Sequence, residues 1–161
     1  MNLTPLGIFH TIVSVVAVLA AVVALSRDGR VSPKSGIGRF YIWALVITCL
    51  TGFPIFRHGT ITPPHVLGVI TLVALAVAAV AGMTRVFGRF SVYVETISYS
   101  ATVLFLGIST VTETLTRLPP SGSVAASPED PILTPLYLGL LVSFLIWVTL
   151  QVRRLRRAAR P

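Results

Sequence analysis

What most constrains this chain is a set of uninterrupted apolar runs, each close to the length that crosses a lipid bilayer. They cover Leu6–Leu25, His65–Thr84, Val92–Thr110 and Ile132–Val152. At 1.5 Å of rise per residue, about 20 residues of helix match about 30 Å of hydrocarbon. A further run, Tyr41–Phe56, is shorter and ends in Thr51-Gly52-Phe53-Pro54, which predicts a kinked or frayed end. No run alternates with period two, so a transmembrane barrel is excluded. The chain is 54% hydrophobic and 11% charged, with a mean hydropathy of +0.87. A net charge of +8 in so apolar a chain does not point to nucleic acid, whose partners carry charge throughout. The single cysteine, Cys49, rules out a disulfide framework and reads as an inert packing residue. The expected fold is all-α: a polytopic membrane bundle of five helices.

The basic residues predict its orientation. Arg27, Arg30, Lys34 and Arg39 follow span one, Arg85 and Arg89 follow span three, and Arg153, Arg154, Arg156, Arg157 and Arg160 follow span five. Only Arg57 and Arg117 fall on the opposite side, so the positive-inside rule places the N-terminus outside and the C-terminus in the cytoplasm. The first span has no positive n-region and is too long for a signal-peptide core, so it reads as a retained anchor. The Pro-, Ser- and Gly-rich stretch 118–131 reads as an outer loop. It divides a four-helix core (1–117) from a fifth helix with a basic tail (132–161). Membrane lipid is the expected partner, with a homo-oligomer or a membrane-complex subunit as further possibilities.

A self-similarity links the first four spans. His10 precedes Gly38-Arg39-Phe40 by 28 residues, and His65 precedes Gly88-Arg89-Phe90 by 23. If the pattern is a repeat, spans one–two and three–four are parallel hairpins related by a pseudo-two-fold axis along the membrane normal. His10 and His65 are then equivalent positions. From His10 a small-residue stripe runs through Ser14, Ala17, Ala21 and Ala24, and from His65 one runs through Gly68, Leu72, Leu75, Ala79 and Gly82. Such faces let membrane helices approach closely.

Intramembrane ionisable groups are functional candidates by default. His10 and His65 have the pattern of axial ligands to a b-type haem, with Gly68 admitting a flat macrocycle, or of two ligands to a divalent metal. A metal could recruit Glu113 or His58 as further ligands. The competing reading makes both histidines interfacial side chains bonded to backbone or headgroups. Span four carries a second constellation, with Glu95, Tyr99, Thr102, Ser109 and Glu113 along one face and Leu106 between. Its two carboxylates lie about 27 Å apart along a helix. This stripe reads as a proton or ion path, as a polar pocket, or as interhelical hydrogen bonding with Glu95 paired to Arg39 or Arg89. No catalytic motif is present, and Gly36-x-Gly38 lacks the third glycine of a nucleotide loop.

His10, Gly38-Arg39-Phe40-Tyr41 and Pro64-His65-Val66-Leu67-Gly68 give the chain a family resemblance. It resembles bacterial small multi-pass inner-membrane proteins defined only as a domain of unknown function. The resemblance covers residues 6–90 and departs at Lys34-Ser35, where that family often has His-Arg. It implies a bacterial inner-membrane location and supplies no catalytic residue. The functional expectations are a haem- or metal-binding membrane protein, a proton-coupled transporter or channel-like oligomer, or a non-catalytic accessory subunit.

Overall fold

The computed structural model describes residues 4–55, 63–117 and 122–159. The described residues contain no strand. They form α1 (Pro5–Asp28), α2 (Gly36–Gly52), α3 (Pro63–Thr84), α4 (Ser91–Arg117) and α5 (Thr134–Ala158). Single 3-10 turns at Gly88–Phe90 and Pro131–Leu133 lead into α4 and α5. Four helices (α1, α3, α4 and α5) are long and apolar enough to cross a membrane, as a multi-pass membrane protein requires. With 17 residues, α2 covers about 26 Å and falls short of a typical hydrocarbon core.

Local chemistry explains where the helices start and stop. Thr4 caps α1 by accepting the Gly7 N–H at 3.1 Å, with Pro5 pre-set for the first turn. Gly29 ends α1 in the left-handed region at φ 67° and returns its N–H to the Leu25 carbonyl. Ser35 caps α2 through the Gly38 N–H at 3.1 Å, so α2 begins five residues before its apolar run. At its far end α2 stops at Gly52, short of the apolar run's limit at Phe56. Pro54 has no N–H for the helix ladder, and Ile55 instead donates to the Gly52 carbonyl at 3.1 Å. At its polar end α4 runs on to Arg117, where the Thr112 and Thr116 hydroxyls donate to the Ile108 and Thr112 carbonyls at 2.7 Å.

The chain divides into two compact units, Met1–Val103 and Leu104–Pro161, with the boundary inside α4. In the first, α1 packs extensively on α2, and α2 also packs on α3. Ala17, Ala20, Ala21 and Ala24 of α1 are buried, as are Gly38, Tyr41, Ala44, Leu45, Thr48 and Cys49 of α2. The alanine stripe thus packs as expected, because side chains of one carbon let two backbones approach. The α1–α2 turn is tight enough that a Cβ on Gly38 would overlap the backbone of Ser32. On α3 the buried face is Thr71, Leu75, Ala78 and Ala81, which shares only Leu75 with the expected stripe. Leu19 and Val22 are each 60% exposed, as lipid-facing side chains are.

In the second unit, residues 122–130 form turns and bends, mostly exposed, with Ala125 tucked inside. Ala125 and Leu133 are fully buried. The Ala125 N–H donates to the Leu115 carbonyl at 2.9 Å, which satisfies an end carbonyl of α4. Asp130 accepts from the Ala126 N–H at 2.8 Å and the Ile132 N–H at 3.0 Å. These bonds hold the carboxyl of Asp130 below the usual aspartate range.

The two Gly-Arg-Phe triplets adopt different local structures. Gly38-Arg39-Phe40 lies within the first turns of α2, where Gly38 is buried against the turn. Gly88-Arg89-Phe90 forms a separate 3-10 turn, with Gly88 at φ 54° and open space around it. The two glycines therefore answer different needs, close approach in one case and backbone conformation in the other.

Candidate functional site

Polar groups in the first unit gather at two places. One is where the end of α2 meets the starts of α1 and α3. His10 is half-buried there, and its Nδ1 lies 3.1 Å from the Thr51 hydroxyl. The Thr51 hydroxyl donates its own proton to the Ile47 carbonyl at 2.7 Å, which leaves the imidazole Nδ1–H as donor to Thr51. Gly52 makes this possible, since a Cβ there would stand 3.2 Å from His10 Cε1.

His65 is half-buried in the first turn of α3. One turn further on, the face of Gly68 is covered by the Phe53 ring, whose Cε1 lies 3.4 Å from where a Cβ would be. The surface expected to admit a macrocycle thus carries an aromatic side chain from the end of α2. His58 and Arg57 lie outside the described residues. Among the described residues no three His, Cys, Asp or Glu side chains form a group able to hold a metal ion.

The other place is the inward face of α4 with its partners on α2 and α3. Tyr99 and Thr102 are buried, as the stripe predicts, and so are Thr96 and Ser100 beside them. The Thr102 hydroxyl donates to the Tyr99 carbonyl at 2.7 Å and receives the Tyr41 hydroxyl at 2.9 Å. Tyr41 is fully buried on α2, so its hydroxyl must find such a partner. Sequence reasoning missed Tyr41 as a site residue. A tyrosine among the small residues of a packing face was the available signal.

Glu95 lies at the foot of this face. Its carboxyl rests on Gly82 of α3, where an added Cβ would stand 2.8 Å from Cδ and Oε1 and 3.2 Å from Oε2. The expected pairing with Arg39 or Arg89 is not formed, and among the described residues Glu95 makes no ion pair. Arg89 instead stacks over the Phe90 ring at 4.9 Å.

In the second unit, Glu113 pairs with Arg117 one turn along α4. Ser109 is half-buried, and Leu106 is buried between the polar positions. Thr112 accepts the Tyr137 hydroxyl at 2.6 Å while donating to the Ile108 carbonyl. The carboxylates at the two ends of α4 therefore differ in kind. Glu113 already has a cation, and among the described residues Glu95 has none.

The chain matches no family model, no curated protein and no solved structure.

Proposed function

We propose that this is a multi-pass protein of the bacterial inner membrane whose α4 polar face handles protons or small cations, with Glu95 as the ionisable group. The carrying observation is the Glu95 carboxyl seated on Gly82 with no ion pair among the described residues. Ionisable residues within membrane-spanning helices are costly to place there and commonly mark proton or ion pathways. Above it, Tyr99, Thr102 and Tyr41 supply buried oxygen atoms. Thr102 spends its proton on a backbone carbonyl, so these hydroxyls line a polar path without making a continuous proton wire.

In this reading α2 is a short fifth span. Its end reaches His10, five residues into α1, so α2 runs back along nearly all of that helix. Modest thinning or snorkelling accommodates such a span. Five spans and the one-sided arginines put the N-terminus outside and the C-terminus in the cytoplasm. Proton flux into liposomes containing the purified protein tests the proposal. Glu95→Gln is expected to reduce flux to the lipid background, and Glu113→Gln to leave it unchanged because Glu113 serves Arg117. Undiminished flux in Glu95→Gln overturns the reading.

A second reading rests on the orientation of His10. A metal-ligating histidine commonly gives its other ring N–H to a neighbour, as the His10 Nδ1 contact with Thr51 allows. His10 with His65 could then ligate a haem b or a divalent metal, if Phe53 turns away from Gly68. Visible spectra and bound-metal analysis of protein prepared with both supplied decide this. A Soret band lost in His10→Ala and in His65→Ala supports it, and no band with no stoichiometric metal removes it.

A further inference from the structure

The last two turns of α5 carry Arg153, Arg154, Arg156 and Arg157, all exposed, and α5 has no acidic residue to neutralise them. Immediately before them, Leu145, Ile146, Thr149, Leu150 and Arg153 line an open cleft of about 300 Å³ along one side of the helix. Leu145 and Ile146 are more than half exposed. The Thr149 hydroxyl donates to the Leu145 carbonyl at 2.7 Å, so the middle of the cleft presents its methyl group without an unspent donor. Residues 149, 153 and 157 are spaced by four, and Arg156 lies three after Arg153, so the apolar strip leads directly into guanidinium groups.

We infer that this strip is a binding site for one anionic phospholipid, with an acyl chain along Leu145–Leu150 and the phosphate held by Arg153, Arg156 and Arg157. Charge complementarity selects this occupant. A zwitterionic lipid fills the cleft equally well but brings its own ammonium to an acid-free cationic helix end. An apolar helix from another protein leaves the three guanidinium groups without counter-charge. Arginine suits the role because its planar fork binds phosphate through paired N–H donors. Arg153 lines the cleft at the end of the strip nearest the other arginines, so an acyl chain there brings a headgroup to the guanidinium cluster.

Native mass spectrometry of the full chain tests this, with phosphatidylglycerol and phosphatidylcholine of matched acyl chains added in equal amounts. The wild type is expected to retain one phosphatidylglycerol in preference to phosphatidylcholine. Excess inorganic phosphate should not displace it, because the acyl contacts are absent from phosphate. Replacing Arg153, Arg156 and Arg157 by Gln should reduce the preference on the order of a hundredfold, about fivefold per arginine. Thr149→Trp fills the cleft without changing charge and should lower retention of both lipids. Arg27→Gln with Arg30→Gln, a charge change in the other unit, should alter neither. Equal retention of the two lipids by the wild type overturns the site, whatever the variants do. Displacement by phosphate alone, or equal loss in the Arg27/Arg30 control, also overturns it by showing charge attraction without a site.

Discussion

The carboxyl group of Glu95 occupies the space where a side chain on Gly82 would begin. Cδ and Oε1 both lie 2.8 Å from that point. A glycine at this position of α3 therefore determines where the ionisable group of α4 rests. The relationship yields a test that separates position from charge. In Gly82→Ala the carboxylate, at the end of a flexible side chain, must swing aside while the helices stay. Thermal stability in detergent is expected to stay within about 0.5 kcal/mol of wild type. Proton flux should nevertheless fall toward that of Glu95→Gln. Wild-type flux in Gly82→Ala would show that the glycine seat has no functional part.

The buried Tyr41–Thr102 bond predicts a measurable coupling. Tyr41→Phe and Thr102→Val should each cost about 1 kcal/mol of stability. The double variant should cost less than the sum by about 0.6 kcal/mol, the usual strength of such bonds between membrane helices. Additivity in the cycle would mean that the bond does not hold α2 to α4.

Three glycines should respond differently to alanine, and thermal unfolding in detergent ranks them. Gly38→Ala places a Cβ inside the Ser32 backbone and should be the most damaging, at more than about 3 kcal/mol. Gly88→Ala meets no neighbour but holds φ 54°, so its cost should be about 1 kcal/mol. Gly36→Ala has nothing within 4 Å and should be neutral or slightly stabilising.

Asp130 makes the order of the 122–133 segment pH-dependent. Folding lowers its pKa through the Ala126 and Ile132 N–H groups, so the unfolded segment binds the proton more readily. Order is favoured above the ordinary aspartate value of 3.8 and declines as pH falls below it. Hydrogen exchange at Ala126 and Ile132, corrected for intrinsic rates, should lose protection in acid. Asp130→Asn should show reduced protection and little pH dependence. Unchanged protection down to the acid limit would exclude the carboxylate as the organiser.

Much of the local structure was legible residue by residue. The alanine spacing from His10 marked the face of α1 that packs. The errors fell where short-range signals compete. The onset of α2 depends on a Ser35 cap, which apolar content does not register, and its end depends on the missing N–H of Pro54. The burial of Ala125 escaped notice because Pro, Ser and Gly mark a turn equally whether its residues are exposed or covered. The α4 stripe placed Tyr99 and Thr102 inside, but the sequence reading gave Glu113 no basic partner. Arg117, four residues after Glu113, was the visible one.

The sequence alone determined the class of molecule. Runs of about 20 apolar residues can satisfy their backbones in a bilayer only as helices, and this holds for each run whatever its neighbours. It could not determine how those helices are rotated about their axes. A span that is apolar all round carries little periodicity to set its azimuth. Tertiary packing made that choice, turning Thr71, Leu75 and Ala78 inward on α3, covering Gly68 with Phe53 and joining Tyr41 to Thr102 across 61 residues. It also seated Glu95 on Gly82, because contacts of this kind depend on ångström-scale register between helices that no single helix encodes.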